Sequence, residues 1–240
     1  SGFAYQGEPS RHRNSAPRGE PSAALPPTAF VHFLQNHDQV GNRPFGDRLT
    51  ALAKPEAVAA ALAVMLLAPA PPLLFMGEEW GATQPFPFFC DFPGDLGEAV
   101  RRGRRAEFAA HFADFGAADT VPDPLSEETF RAAVLDWSAR EREPHASRLA
   151  LVRALLAVRR RFIVPRLAAL EAAQAEARFI GPVLAARWAA GEATLLALVA
   201  NLGDGEADLP PWARASRPIW GGAPPPRLPP WSVSWTAEPR

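Results

Sequence analysis

The stretch FVHFLQNHDQVGNR, residues Phe30 to Arg43, decides how the rest of the sequence is interpreted. Its first five residues form an apolar run behind Pro26 and Pro27, and polar residues follow abruptly from Gln35 onward. Short apolar runs of this kind are typical of buried parallel strands. Barrels and open sheets place their chemistry at the carboxyl ends of such strands. The sequence therefore predicts a strand, Phe30–Leu34, that ends in a functional site with Asp38 as the first candidate.

A second short apolar run, Leu73–Met76, follows at a spacing that suits a strand, helix and strand unit. Between the two runs lies a nearly all-apolar helical segment, Ala57–Leu67, which must be buried on most sides. Pro55 and Glu56 precede it, where a first helical turn favours a fixed φ and a negative charge. This order implies parallel strands with a right-handed crossover, so both strands present their polar ends at one edge.

The second run is followed by the adjacent acids Glu78 and Glu79. We reject the interpretation that these two carboxyl groups form a catalytic pair. Neighbours on an extended segment point in different directions. We therefore predict that one of them braces the site through hydrogen bonds while the other meets solvent.

The sequence of the middle of the chain predicts three helices. An arginine-rich helix spans Glu98 to Phe115, a short one begins at the serine cap Ser126, and a long one spans His145 to Arg161. The arginine run at positions 101, 102, 104 and 105 is interpreted as a solvated face. The apolar face of the long helix is predicted to comprise Leu149, Val152, Leu156 and Ile163.

From about Leu167 the pattern changes to short strands separated by prolines. Val183–Trp188 and Thr194–Asn201 are predicted to pair as a hairpin, and Trp231–Thr236 is another short strand-like piece. The sequence thus predicts an α/β fold with two domains, residues 1–166 and a small antiparallel β domain at residues 167–240.

Composition excludes several classes of partner. The chain has 240 residues and a net charge of -1, which gives no electrostatic case for nucleic acid or an anionic membrane. Cys90 is the only cysteine, which favours a reducing cytoplasm. The longest apolar run, Ala57–Ala68, is shorter than the ~20 residues that span a bilayer. The histidine and cysteine positions are too scattered for metal-ligand spacing, and nothing resembles a phosphate loop.

The motif Asn36-His37-Asp38, followed by QVGNR at 39–43, resembles the last sequence motif of the α-amylase superfamily of glycoside hydrolases. The extended motif, together with FMGEEW at 75–80, is similar to the malto-oligosyltrehalose trehalohydrolase family. This resemblance implies the last two βα units of a (β/α)8 TIM barrel followed by a small antiparallel β-sandwich. The start at Ser1, without a methionine, favours a piece of a longer protein.

The resemblance also implies roles for individual residues. Asp38 matches the third acid of the superfamily, the transition-state stabiliser, and His37 matches a histidine that hydrogen-bonds a hydroxyl of the same sugar. The further substrate contacts implied are Gln39, Val40, Gly41, Asn42, Arg43 and Glu79. By resemblance, the nucleophile and the acid/base precede Ser1, so the isolated chain is expected to be inactive. No cofactor and no metal are implied.

The implied substrate is malto-oligosyltrehalose, an α-glucan oligosaccharide cleaved at the α-1,4 bond next to its terminal trehalose. Rival interpretations are another superfamily enzyme, such as a glycogen branching enzyme or an α-glucosidase, and a non-catalytic glucan-binding module. Purely structural roles are open as well. Asn36 could cap the strand end, the role of Arg43 could be limited to pairing with Asp38, and that of Gly41 could be limited to forming the turn.

Overall fold

The computed structural model describes residues 5–112, 121–171, 174–190, 193–211 and 217–237. Helices in these residues are α1 (His37–Gly41), α2 (Leu49–Leu52), α3 (Pro55–Leu67), α4 (Gly94–Phe112), α5 (Glu127–Ala132), α6 (His145–Val158) and α7 (Leu167–Glu171). Strands are β1 (Gln6–Pro9), β2 (Pro17–Gly19), β3 (Gln174–Ile180), β4 (Val183–Ala190), β5 (Ala193–Asn201), β6 (Ala207–Asp208), β7 (Arg217–Trp220), β8 (Arg227–Leu228) and β9 (Val233–Ala237).

The chain forms two compact units, each made of segments that are separate in sequence. The sheet unit comprises Ser1–His32, Glu56–Leu73 and Arg153–Arg240. The site unit comprises Phe33–Pro55 and Leu74–Val152. None of the helices within the described ranges is both long and apolar enough to cross a membrane.

The sheet unit is built on a five-stranded antiparallel sheet in the order β3-β4-β5-β9-β7. The predicted hairpin is confirmed: β4 pairs with β5 from Val183 opposite Asn201 to Ala190 opposite Ala193. The central strands carry consecutive buried residues, at 198–200 and 234–237, so the middle of the sheet is covered on both faces. The small β6-β8 sheet packs on the large one, because Leu228 joins Val183 and Val199 in one buried cluster.

Helix α3 confirms the predicted apolar helix and forms part of the core of the sheet unit. Its buried residues include Leu62, Leu66 and Leu67, so the helix is covered on several sides. The fully buried Trp235 of β9 donates from its indole N–H to the carbonyl of Ala63 at 3.0 Å. The hydrophobic burial of α3 and β9 is thus accompanied by a specific hydrogen bond between them.

The predicted parallel pairing exists, but the ladder is reduced to a single bridge. His32 N–H donates to the carbonyl of Pro71 at 2.9 Å, and Leu73 N–H donates to the carbonyl of His32 at 2.8 Å. The prediction of a buried strand at Phe30–Leu34 is wrong for this chain, since Val31 and Phe33 are exposed. Pro71 and Pro72 lack the N–H that further ladder bonds need.

The predicted helices of the middle region are largely confirmed. Helix α5 begins where predicted, because the Ser126 hydroxyl accepts from the backbone N–H of Glu128 at 3.2 Å. On α6, Val152 is buried as predicted, but Leu156 is exposed and Leu155 is fully buried instead. The helical pattern identified the apolar segment but placed its face one residue away at this point. The predicted end of α4, positions 113–115, lies outside the described residues.

Candidate functional site

Helix α1 carries the predicted site, and its first residue follows a specific cap. Asn36 has an extended backbone, with φ -140° and ψ 176°, and its side-chain oxygen accepts from the Gln39 N–H at 2.8 Å. Asparagine is among the best residues for this role because its short side chain reaches an otherwise unpaired N–H. The interpretation that Asn36 caps a strand end is therefore wrong: it starts a helix.

The carboxyl group of Asp38 is exposed and held in place by the same short helix. Its Oδ1 accepts from the Asn42 side-chain N–H at 2.9 Å, four residues further along the chain. His37 and Gln39 are exposed beside it. The structure thus brings three of the predicted contact residues to the solvent-facing side of α1, with the acid oriented by an amide.

The buried side of α1 consists of Val40 and Gly41. Val40 is fully buried, so the structure leaves neither its side chain nor its backbone open to a ligand. Gly41 is also buried, with the carbonyl of Phe86 3.8 Å from where a Cβ would stand. An added Cβ would stand at an ordinary van der Waals distance from Phe86, so packing does not require glycine at 41.

The loop after α1 is fixed by bonds that sequence patterns did not indicate. Arg43 donates to the backbone carbonyl of Asp47 at 2.5 Å, so the interpretation that it only pairs with Asp38 is wrong. Gly46 has φ +67°, and an added Cβ would stand 2.1 Å from the nitrogen of Pro87. Only glycine fits there. The Gly46 carbonyl accepts from the Phe86 N–H at 2.8 Å. This bond connects the loop to the segment at residues 85–92, which is rich in proline and phenylalanine and is called the aromatic segment below.

A buried polar network lies in the same unit as α1. Gln35 accepts from the Leu49 N–H at 2.9 Å. Arg48 donates to the carbonyls of Gln84 at 2.5 Å and Met76 at 2.8 Å. Because these donors and acceptors are withdrawn from water, their pairing is needed to offset the cost of burial. The network therefore orders the segments that precede and follow α1.

The prediction that the two adjacent glutamates have different roles is confirmed. Both lie in a 3-10 turn, Glu78–Trp80, where Glu78 is buried and Glu79 is half-exposed. Glu78 accepts from the Phe75 N–H at 2.9 Å. Burial raises the pKa of the Glu78 carboxyl, while the Phe75 and Gln35 hydrogen bonds and the positive charge of Arg48 oppose the rise. Of this pair, Glu79 is the residue that a ligand can reach.

The aromatic segment before α4 divides into packed and exposed rings. Phe86 and Phe89 form an edge-to-face chain with centroids 5.6 Å apart, and Phe89 continues it to Phe130 at 5.3 Å. Phe88 and Phe92 are exposed. Two of the four rings therefore contribute to a small core, and two remain on the surface.

The arginine run on α4 is only partly the solvated face that was predicted. Arg102 and Arg105 are exposed, and Arg101 pairs with Asp123 at 2.9 Å. Arg104 is only 8% exposed, and the prediction is wrong for this residue. Its guanidinium donates to the backbone carbonyls of Gly41 and Arg43, at 2.5 Å and 3.0 Å. No sequence period marks such a contact, because its partners are backbone atoms more than sixty residues away.

No group of three or more potential metal ligands occurs among the residues that the structure describes. The site is instead a set of exposed polar side chains on a rigidly capped turn. An ionised carboxylate accepts hydrogen bonds from sugar hydroxyls and stabilises developing positive charge. The geometry of Asp38 and its neighbours suits a polyhydroxylated ligand.

The chain is similar to known proteins in both sequence and structure. A family described as Domain of unknown function (DUF3459) matches residues 172–235, within the sheet unit. A malto-oligosyltrehalose trehalohydrolase from Deinococcus radiodurans is 48% identical over 143 residues, which cover 60% of this chain and 24% of that protein. One from Arthrobacter ramosus is 51% identical over 137 residues, covering 57% of this chain and 23% of that protein.

The chain thus spans about a quarter of the length of the curated relatives that it matches. A crystal structure of a Salmonella typhimurium protein, provisionally described as an alpha amylase, is 41% identical and superposes with a TM-score of 0.87. The match covers 99% of this chain and 40% of that one. The resemblance of this sequence to the malto-oligosyltrehalose trehalohydrolases, and through them to the α-amylase superfamily, is therefore confirmed.

Proposed function

We propose that this chain is the carboxyl-terminal part of a glycoside hydrolase that cleaves the α-1,4-glucosidic bond next to the terminal trehalose of malto-oligosyltrehalose. The observation that carries the proposal is the exposed Asp38 carboxylate, held by Asn42 on a helix that Asn36 caps. In this proposal residues 1–166 supply the last two βα units of the catalytic barrel, and residues 167–240 form the trailing β domain. The single parallel bridge between His32 and Pro72 is consistent with neighbouring barrel strands.

Asp38 acts on the transition state in this mechanism. Glycoside cleavage passes through an oxocarbenium-like state with positive charge on the anomeric centre. A carboxylate that bonds hydroxyls of the same sugar favours the distorted, charged ring over the relaxed substrate. The Asn42 bond prevents the carboxylate from reorienting, so little of its effect is lost to reorganisation.

The remaining contacts surround that carboxylate. His37 hydrogen-bonds a hydroxyl of the sugar in the same subsite. Gln39, Asn42, Arg43 and Glu79 contact the oligosaccharide around it, while the buried Val40 and Gly41 support α1 on the side away from solvent. The reaction needs no cofactor, because protonation and nucleophilic attack are both performed by carboxyl groups.

Those two carboxyl groups lie, in this proposal, in residues that precede Ser1. A retaining glycosidase holds them ~5 Å apart, one as nucleophile and the other as acid and then base. The acid protonates the leaving oxygen while the nucleophile bonds to the anomeric carbon, and water then hydrolyses the covalent intermediate. We also place the enzyme in the cytoplasm, consistent with the single cysteine, Cys90, of this chain.

The test uses the complete gene product that contains this chain, incubated with malto-oligosyltrehalose and assayed for free trehalose. A malto-oligosaccharide of equal length serves as the matched control substrate. Trehalose release with little cleavage of the control supports the proposal. Glucose release from the control would indicate an α-glucosidase, and new α-1,6 branches would indicate a branching enzyme. Binding of either glucan without turnover would indicate a glucan-binding module. Residues 1–240 alone are expected to release no trehalose.

Replacement of His37 by alanine is expected to weaken both substrate binding and turnover. A hydrogen bond to a sugar hydroxyl exists before the ring distorts, so its loss affects KM as well as kcat. We expect kcat/KM to fall by an amount that corresponds to a loss of ~1 to 3 kcal/mol of transition-state stabilisation. Steady-state kinetics on malto-oligosyltrehalose measure both constants, and His12→Ala, an exposed histidine of the sheet unit, is the control. If neither constant changes in His37→Ala, the histidine has a structural role only.

A further inference from the structure

We infer that Arg104 is a positioning residue that holds the segment bearing Asp38 in its reactive place. The inference rests on the proposed function for its effect on turnover, but its structural part stands on the contacts of Arg104 alone. Arg104 lies on α4, and its guanidinium reaches the carboxyl-terminal end of α1. Its bonds to the segment that bears Asp38 are to backbone carbonyls, so it acts on the position of that segment and not on the substrate.

Helix α1 needs such support because it is very short. Five residues complete barely more than one helical turn, and isolated helices of that length are unstable in water. Its amino end is fixed by the Asn36 cap. The last carbonyls of a helix have no partner within it, and Arg104 donates to one of them, that of Gly41, and to the carbonyl of Arg43, two residues beyond the helix. The two ends are thus fixed by an amide and a guanidinium.

The chemistry at the carboxyl end favours arginine over any other residue. A cation there interacts favourably with the partial negative charge of the helix end. The planar guanidinium offers several N–H donors in one rigid fork, so a single Nη2 can bond both carbonyls while Nη1 bonds another group. That group is the carboxylate of Glu107, at 3.2 Å and half exposed to solvent. A lysine ammonium also has three donors, but they radiate from one point and lack the planar fork that spans these partners.

Burial makes these bonds structurally important. Arg104 is 8% exposed, and its guanidinium carbon lies 4.5 Å from the ring centroid of Phe108 and 5.5 Å from that of Phe88. Phe88 belongs to the aromatic segment, which precedes α4. One side chain therefore joins α4, the end of α1 and the aromatic segment. The exposed neighbour Arg102 has no comparable burial and offers a matched control.

The consequence for catalysis follows from the position of Asp38 in this support. Asn42, which orients the Asp38 carboxylate, lies between the two residues whose carbonyls Arg104 holds. If those carbonyls are released, the Asn42 amide and the Asp38 carboxylate both become free to shift. A displacement of about 1 Å in a catalytic group can cost ~100-fold in rate. Because Asp38 acts chiefly on the transition state, the loss falls on kcat more than on KM.

The experiment compares Arg104→Met, Arg104→Lys and Arg102→Met with the wild type in the complete gene product. Two quantities are measured: kcat and KM on malto-oligosyltrehalose, and hydrogen exchange of the backbone amides in residues 37–43. For Arg104→Met we expect kcat to fall by about 10- to 100-fold with KM changed much less. Exchange at 37–43 should rise while exchange in α3 stays at the wild-type rate. For Arg104→Lys, both kcat and the exchange rate at 37–43 should lie between those of the wild type and Arg104→Met. For Arg102→Met, both should match the wild type.

Several outcomes would overturn the inference. Wild-type kcat with wild-type exchange at 37–43 in Arg104→Met removes Arg104 from any positioning role. If Arg104→Met exchanges rapidly throughout and is unfolded, Arg104→Lys decides, because it keeps the charge and the aliphatic stem. Wild-type kcat in that folded variant contradicts the requirement for a guanidinium. A wild-type enzyme that releases no trehalose refutes the proposed function instead, and the exchange data still test the support of α1.

Discussion

Asp38→Asn is expected to reduce turnover of the complete enzyme by a factor on the order of a thousand or more, or ~4 kcal/mol of barrier. Asparagine has nearly the same shape as aspartate and keeps a side-chain oxygen that can accept from Asn42. The fold of α1 should therefore persist while the negative charge is lost. Since the charge matters most when the sugar becomes cationic, KM should change far less than kcat.

Steady-state kinetics on malto-oligosyltrehalose, with thermal unfolding of the same samples, measure this effect. Asp95→Asn is the matched control, because it removes an exposed aspartate from the first turn of α4 in the same unit. A folded Asp38→Asn enzyme with wild-type kcat would exclude Asp38 from the mechanism. A control that lost activity to the same degree would show that net charge, not the site, is responsible.

Arg159→Met is expected to cause the largest loss of stability, about 3 to 5 kcal/mol in the free energy of unfolding. Arg159 is 8% exposed and donates to backbone carbonyls at and beyond the end of α3, those of Leu66 at 3.0 Å, Ala68 at 2.5 Å and Ala70 at 2.9 Å. These carbonyls have no intrahelical partner. Methionine fills a similar volume but leaves all of them unpaired in the interior.

Urea denaturation followed by far-ultraviolet circular dichroism measures the change. Arg160→Met, at the exposed neighbouring position, is expected to shift the free energy of unfolding by less than about 0.5 kcal/mol. Burial lowers the pKa of the Arg159 guanidinium, yet an arginine stays protonated at neutral pH, so the effect should not depend on pH between 6 and 8. Equal stability of the two variants would mean that the released carbonyls find water.

Sequence patterns predicted the regular elements well where one period dominated. The apolar run at 57–67 is the helix α3, and the two alternating runs around 189–192 are the hairpin β4-β5. The serine cap of α5 was predictable because a hydroxyl two residues from its partner is a local feature. The motif at 36–43 marked the candidate site through its resemblance to a family, but the helix cap at Asn36 and the Asp38–Asn42 bond were not predicted, although both are local.

Patterns failed where the partner lies far away in the chain. The arginine run of α4 has the composition of a solvated face, yet Arg104 is buried against the carbonyl of Gly41. The apolar run Phe30–Leu34 has the composition of a buried strand, yet it forms one bridge, because its neighbour begins with two prolines. On α6, the choice between Leu155 and Leu156 depended on what packs against that turn.

The sequence by itself determined the chemical character of the candidate site and the antiparallel hairpin, because each depends on residues close together along the chain. Only the tertiary structure decided which polar groups hold the site in place. These supporting groups form hydrogen bonds with backbone atoms that folding brings near, and they are Gln35, Arg48, Glu78 and Arg104. Almost any residue type supplies the same backbone carbonyl or N–H. A backbone partner leaves no mark on the sequence, so these supports become visible only when the chain is folded.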